Sequence, residues 1–181
     1  MFSKAYADRV ARLRVSAGFV LVAAFAWFSR PTGQSLKLGL PVALIGLTLR
    51  AWAAGNLAKD STLAMAGPYS LVRNPLYVGT LIAAAGFAMA SASWPLALLF
   101  AVVFLLVYLP VIGLEEQHLR DIFPEFPAYA ERVAALFPRF TVTPLTNRFQ
   151  FALYKKNREY EAGLGFLAGA ALLIVKSYLK V

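Results

Sequence analysis

The 181-residue chain has no cysteine and a single histidine, His118. A disulfide framework is therefore excluded, and a zinc site of the His/Cys type cannot be assembled from these residues. Acidic residues are also scarce: nine against 18 Lys and Arg, for a formal net charge of +9. Such a balance suits nucleic acid, but the placement of the cations does not. Lys4, Arg9, Arg12 and Arg14 precede the first apolar run, and Lys59 and Arg73 lie between the second and third. Arg120, Arg132, Arg139, Arg148, Lys155, Lys156 and Arg158 follow the fourth. Cations on every second loop are the asymmetry of the positive-inside rule, so the basicity reports topology and no nucleic-acid partner is expected. Charge itself is missing over the longest stretch: 41 consecutive residues, Asn74 to Leu114, carry none.

What remains is largely apolar. Sixty per cent of the residues are hydrophobic and the mean hydropathy is +0.63, values of the membrane class. At about 1.5 Å per helical residue the uncharged run spans about 60 Å, roughly twice the ~30 Å hydrocarbon core. It reads as two membrane helices folded back at Ser91-Ala92-Ser93-Trp94-Pro95. A hairpin returns both of its ends to one membrane face.

Hydrophobicity and length predict five spans, at about 10–29, 36–58, 76–90, 94–114 and 162–178. The expected fold class is all-α, a polytopic membrane helix bundle with about five transmembrane helices and a short cytosolic helical segment. The chain is expected to be one membrane domain over 1–181: first two spans in 10–58, a core hairpin with an inner-face segment in 67–140, and a basic interfacial linker with the final span in 141–181. The N-terminus is placed on the cytosolic side. Basic residues followed by Ala24-Phe25-Ala26 have the form of a signal peptide, but Trp27 and Phe28 fit an interfacial anchor better. The Gly and Ala content of the last span predicts close helix contact there. All nine acidic residues fall on the inner side. In the inner segment Tyr129, Val133, Leu136 and Phe137 share one helical face, with Pro124 and Pro127 breaking the chain before that helix and Pro138 ending it. Between 147 and 160, Arg148, Lys155, Lys156 and Arg158 alternate with Phe149, Phe151 and Tyr154, a composition suited to anionic lipid headgroups.

Polar side chains cluster at the two inner ends of the hairpin. Glu115 and Glu116 continue a membrane helix, where carboxylates require cations or water, or else hold a cationic ligand group. Gly67-Pro68 and Asn74-Pro75 make the opposite end a stiff loop that carries Tyr69, Arg73, Asn74 and Tyr77. Tyr77 is placed to meet a sulfonium or another cation on its ring face; an aromatic-belt role is the alternative. Arg50 lies within the second span and either snorkels or reaches Glu115 or Glu116. His118 falls on another side of its helix and is expected to be an exposed cytosolic histidine.

In order, the motifs are Gly67-Pro68-Tyr69, Arg73-Asn74-Pro75-Leu76-Tyr77-Val78-Gly79, Glu115-Glu116-Gln117-His118-Leu119, Phe123, Tyr129, Arg132-Val133 and Phe137-Pro138-Arg139. This set, spread around an uncharged hairpin, resembles the isoprenylcysteine carboxyl methyltransferase family and its relatives, the membrane phospholipid N-methyltransferases. The resemblance covers about half the chain and implies S-adenosylmethionine as cofactor. It implies that Tyr69, Arg73, Asn74, Pro75, Leu76, Tyr77, Gly79, Glu115, Glu116 and Leu119 line the cofactor site, with Arg73, Asn74 and Glu116 as catalytic candidates. Glu116 would meet the cofactor's amino group and Arg73 its carboxylate. Arg50 and Tyr129 are candidates for the substrate, a lipophilic carboxylate or amine arriving from the bilayer, and membrane lipids are the other expected partners. No metal is expected.

The chain departs from the family pattern at three places. The family histidine is Asn74, which hydrogen-bonds but does not titrate near neutral pH. The stretch Leu109-Pro110-Val111-Ile112-Gly113-Leu114 lacks the cation that often precedes the glutamate pair, and Phe123-Pro124 replaces Phe-Gly. These changes weigh against prenylcysteine carboxylate as the acceptor. Two other readings stand beside methyl transfer: an NAD(P)H-dependent enzyme of the sterol-reductase kind, and a non-catalytic membrane protein that keeps the fold.

Overall fold

The computed structural model describes residues 6, 18–138 and 149–179, and over these the chain is helical with no strand. In chain order the helices are α1 (Gly18–Phe28), α2 (Gly33–Ala54), α3 (Pro75–Ser91), α4 (Trp94–Ile122), α5 (Phe126–Arg132), α6 (Phe151–Lys156) and α7 (Tyr160–Leu179). Among the described residues three helices, α2, α4 and α7, are long and apolar enough to cross a membrane; α1 and α3 are shorter apolar helices. All five lie on the expected spans.

Local chemistry sets the helix ends. Thr32 and Ser35 form a reciprocal capping box at the start of α2. Pro75 opens α3 and Pro95 sits in the first turn of α4, where a missing N–H costs nothing. Between α3 and α4 the chain reverses at Ala92, which adopts a left-handed φ of 50°, within the segment expected to turn. At 29 residues α4 extends about 44 Å, beyond the hydrocarbon thickness. Its last two turns therefore carry Glu115, Glu116 and His118 past the apolar layer. A π-helical stretch, Phe104–Tyr108, interrupts it about two turns before that point.

The core of the bundle is the antiparallel contact of α2 with α3, built on small residues. A Cβ on Gly86 would lie 2.2 Å from the backbone nitrogen of Ala43, and one on Gly46 would lie 2.3 Å from that of Ala83. The two backbones are thus in direct contact, which is how helices associate where no hydrophobic driving force separates them from lipid. The close contact expected of the last span is found here instead: Gly163 and Gly165 of α7 face open space, and only Gly169 meets a neighbour, Phe87. Lys176 of α7 donates to the carbonyl of Ala26 at 2.8 Å.

The inner-face segment also differs from expectation. Its helix spans Phe126–Arg132 and starts before Pro127, because proline is compatible with the first turn. At Val133 the chain becomes extended, so Leu136 and Phe137 do not continue the predicted helical face, and Phe137 is exposed. Phe126, Tyr129 and Val133 still form one buried cluster, with Leu63, Leu119 and Phe123 packed against it. The extended backbone then meets the Arg73 loop: Arg73 N–H donates to Ala134 O at 2.8 Å and Asn74 N–H to Ala135 O at 3.1 Å.

Candidate active site

The hairpin does bring the arginine loop and the glutamate pair together. Gly67 takes a positive φ of 62° and opens a short 3-10 turn, Gly67–Ser70, that buries Tyr69. Arg73 then extends to α4. Its Nε and Nη2 donate to the two oxygens of Glu116 at 3.0 and 2.9 Å, while Nη1 donates to Ala130 O at 2.9 Å and Val133 O at 2.6 Å. Asn74 stands at the N-cap position of α3 but makes no side-chain cap, because its amide donates to Glu116 Oε1 at 2.9 Å. Three donor groups therefore converge on Glu116, and Arg73 uses four N–H bonds on internal acceptors.

Arg73, Asn74 and Glu116 satisfy one another and tie α3, α4 and the α5 segment together. With 13% and 16% exposure, the pair is a partly buried, bidentate staple. Glu115, one residue earlier, points elsewhere. It is exposed and accepts a hydrogen bond from the Tyr77 hydroxyl at 2.8 Å. The Tyr77 ring meets Tyr108 edge-on, 6.0 Å between centroids, and Tyr108 stacks on Phe104. A carboxylate and two aromatic rings thus face one another at the inner end of the hairpin.

The other predicted residues divide between this face and the scaffold. Pro75 is fully buried at the start of α3, and Leu76 offers its carbonyl inward. Gly79 faces α2, where a Cβ would lie 2.6 Å from Arg50 Cγ, so it serves helix packing. Leu119 packs on the Phe126 cluster. Tyr129 is buried and donates to Tyr69 O at 2.7 Å. Arg50 does not reach Glu115 or Glu116; it pairs with Glu159, at 2.6 Å from Nε and 2.9 Å from Nη2. His118 is exposed, as expected, and lies 3.5 Å from Asp60. The residues 139–148, including Arg139 and Arg148, lie outside the described residues.

Tyr69 is, with Ser29 and Asn56, one of the buried residues with an unpartnered side-chain atom among the described residues. Its hydroxyl has no hydrogen-bond partner among the described residues. Burial holds it well above the usual phenol range, reinforced by Tyr129, Glu115 and Glu159 and opposed by Arg50. Tyr129 is raised in the same direction, first by burial, against the pull of Arg73. Both are therefore neutral donors near pH 7 and not bases.

An apolar cavity of about 740 Å³ opens beside this face, between α3 and α4 with Leu21 of α1 at its edge. Tyr108, Phe104 and Thr80 line one end and Trp94 the other, with alanines 84, 88, 97 and 101 along the walls. The Tyr108 ring borders both the cavity and Tyr77.

The sequence profile of the phospholipid methyltransferase family matches residues 38–125, the stretch from α2 through α4 that builds this face. Over that stretch the chain is similar to the phospholipid methyltransferases. Two curated relatives are similar over a longer stretch. The cobalt-zinc-cadmium resistance protein CzcN of Cupriavidus metallidurans is 36% identical over 141 residues, covering 74% of this chain and 65% of that protein. The nickel-cobalt-cadmium resistance protein NccN of Alcaligenes xylosoxydans xylosoxydans is 36% identical over 142 residues, covering 74% of this chain and 66% of that protein. The chain thus spans about two thirds of the length of these curated relatives. No solved structure matches it significantly.

Sequence reasoning passed over Tyr108 and Glu159. Tyr108 was within reach, since it precedes Glu115 by seven residues and so shares its helix face. Glu159 carried no such signal, because its partner is 109 residues away.

Proposed function

We propose that the chain is an integral-membrane, S-adenosylmethionine-dependent methyltransferase acting on a lipophilic carboxylate or amine, with its active site on the cytosolic side. The observation that carries this reading is the face formed by Glu115, Tyr77 and Tyr108, beside an apolar cavity that Tyr108 also lines. The residues suit the cofactor's cationic end. Glu115 would take the amino group, the Tyr77 and Tyr108 rings would face the sulfonium, and the unpartnered Tyr69 hydroxyl would donate a hydrogen bond. When bound, the cofactor supplies an electrophilic methyl group. The protein's part is alignment and exclusion of water, which calls for no dedicated base when the acceptor is a carboxylate or a neutral amine. Asn74 in place of the family histidine is compatible with such acceptors. The cavity would hold the acceptor's hydrocarbon portion, and the orientation follows from the placement of basic residues.

A nicotinamide dinucleotide is less suited to the same face. Its phosphates call for free cations, whereas Arg50 and Arg73 are each held by a glutamate. The metal-resistance names of the relatives bear on this chain only indirectly. Among the described residues no group of three His, Asp or Glu side chains is placed to hold a metal ion. On the methyltransferase reading, a contribution to resistance would run through methylation of a membrane component.

Purified protein in lipid nanodiscs, given radiolabelled S-adenosylmethionine and a lipid extract, is expected to transfer label to the organic phase, and Glu115→Gln to abolish most of that transfer. Titration with NADPH serves as the parallel arm. Binding of NADPH and not S-adenosylmethionine would replace this reading with a reductase, and binding of neither would leave a non-catalytic protein.

A further inference from the structure

Arg50 sits in α2, four residues from the helix end, and its guanidinium meets groups from two other parts of the chain. Glu159, in the turn before α7, binds it bidentately and is itself buried. Nη1 donates to Thr80 Oγ1 at 2.5 Å and to Leu76 O at 3.4 Å, and Thr80 Oγ1 donates to the same Leu76 carbonyl at 2.9 Å. The aliphatic stem reaches these groups by crossing Gly79, whose missing Cβ leaves the space. Arg50 therefore holds the first turn of α3 from the membrane side, one residue from Tyr77. From the cytosolic side the same turn is held by Arg73 and Asn74 through Glu116.

Glu159 lies beyond the family match, which ends at residue 125. Its own segment is docked by independent bonds. Gln150 N–H donates to Gly55 O at 2.9 Å, and the Asn157 amide donates to Ala54 O and Leu57 O, at and just past the end of α2. Removing the Glu159 carboxylate would thus leave α6 and the start of α7 attached while releasing Arg50.

We propose that Glu159 is a positioning residue of the methyl-transfer site, acting through Arg50 to set the first turn of α3 and hence the placement of Tyr77 against Glu115. This rests on the methyltransferase reading for its functional consequence, but not for its structural one. A partly buried arginine without its carboxylate seeks water or another acceptor, and Leu76 and Thr80 lose their clamp when it leaves.

The test uses the full chain in nanodiscs, labelled with 3-fluorotyrosine, with the Tyr77 resonance assigned by Tyr77→Phe. Glu159→Gln and the milder Glu159→Asp are compared with a charge exchange, Arg50→Glu with Glu159→Arg. Both single variants are expected to shift or broaden the Tyr77 resonance and to lower kcat about tenfold at little changed acceptor KM. The exchange should recover part of both effects. An unmoved Tyr77 resonance in both single variants overturns the proposal, as does activity that falls only in step with the folded fraction. If the wild-type protein neither binds S-adenosylmethionine nor transfers methyl groups, the functional reading fails, and the fluorine spectrum still decides whether Glu159 positions Tyr77.

Discussion

Adjacent glutamates with opposite duties offer a sharp test of the site. Glu116 accepts hydrogen bonds from the Arg73 guanidinium and the Asn74 amide, so Glu116→Ala would leave a partly buried cation and an amide without an acceptor. Breaking a fully buried pair costs about 3–5 kcal/mol. Here 13% and 16% exposure lets water relieve part of the loss, which places the expected cost at about 2–3 kcal/mol. For a chain of this size that corresponds to a fall in Tm of roughly 5–10 °C. Glu116→Gln keeps one acceptor oxygen and should lose roughly half as much. Glu115 is exposed, so Glu115→Gln is expected to stay within about 0.5 kcal/mol of wild type. Ligand binding should show the reverse order. Removing a charge-assisted hydrogen bond worth about 1.5–3 kcal/mol weakens S-adenosylmethionine binding roughly ten- to hundredfold in Glu115→Gln. Glu116→Gln, assayed well below its own Tm, should remain within a few fold. Tryptophan-monitored thermal unfolding and equilibrium binding on the same samples supply both numbers. A stable Glu116→Gln with lost binding, beside a Glu115→Gln that binds normally, would refute the division of roles.

Two further expectations concern the scaffold. Gly86→Ala forces a methyl group onto the Ala43 backbone, so α2 and α3 must separate, at a cost near the upper end of the ~1–3 kcal/mol typical of overpacking. Gly163→Ala, which faces open space, should leave Tm unchanged or slightly raised; equal losses from the two would disprove the packing account. The pH dependence follows from Tyr69 and Tyr129, whose neutral forms are favoured by burial. Their contribution is complete below the unfolded phenol pKa of about 10 and declines as pH rises above it, because the unfolded chain ionises first. Tyr129→Phe should reduce this alkaline loss in a Tm-versus-pH series, and an identical slope in the variant would rule out Tyr129 as a source.

Much of the bundle was legible because the signals are local. Asn74 to Leu114 without charge demands a hairpin in lipid, and Ser91 to Pro95 supplies the turn residues. The joining of the Arg73 loop to the glutamate pair follows from that hairpin by geometry alone. The inner-face helix was misread because periodicity and proline were weighed without tertiary context. Pro127 is accommodated in a first turn, and the backbone of residues 133–135 is drawn into pairing with Arg73 and Asn74.

By itself, then, the sequence determined the class, the spans and the neighbourhood of the polar groups, since each depends on hydrophobicity summed over a single segment. Only the tertiary structure decided which charges neutralise one another. Arg73 with Glu116, Arg50 with Glu159, and Glu115 left to Tyr77 are choices among nearby partners separated by a few ångströms. For Arg50 the placement against α3 comes from glycine contacts between α2 and α3, whose meaning appears only when the two backbones touch.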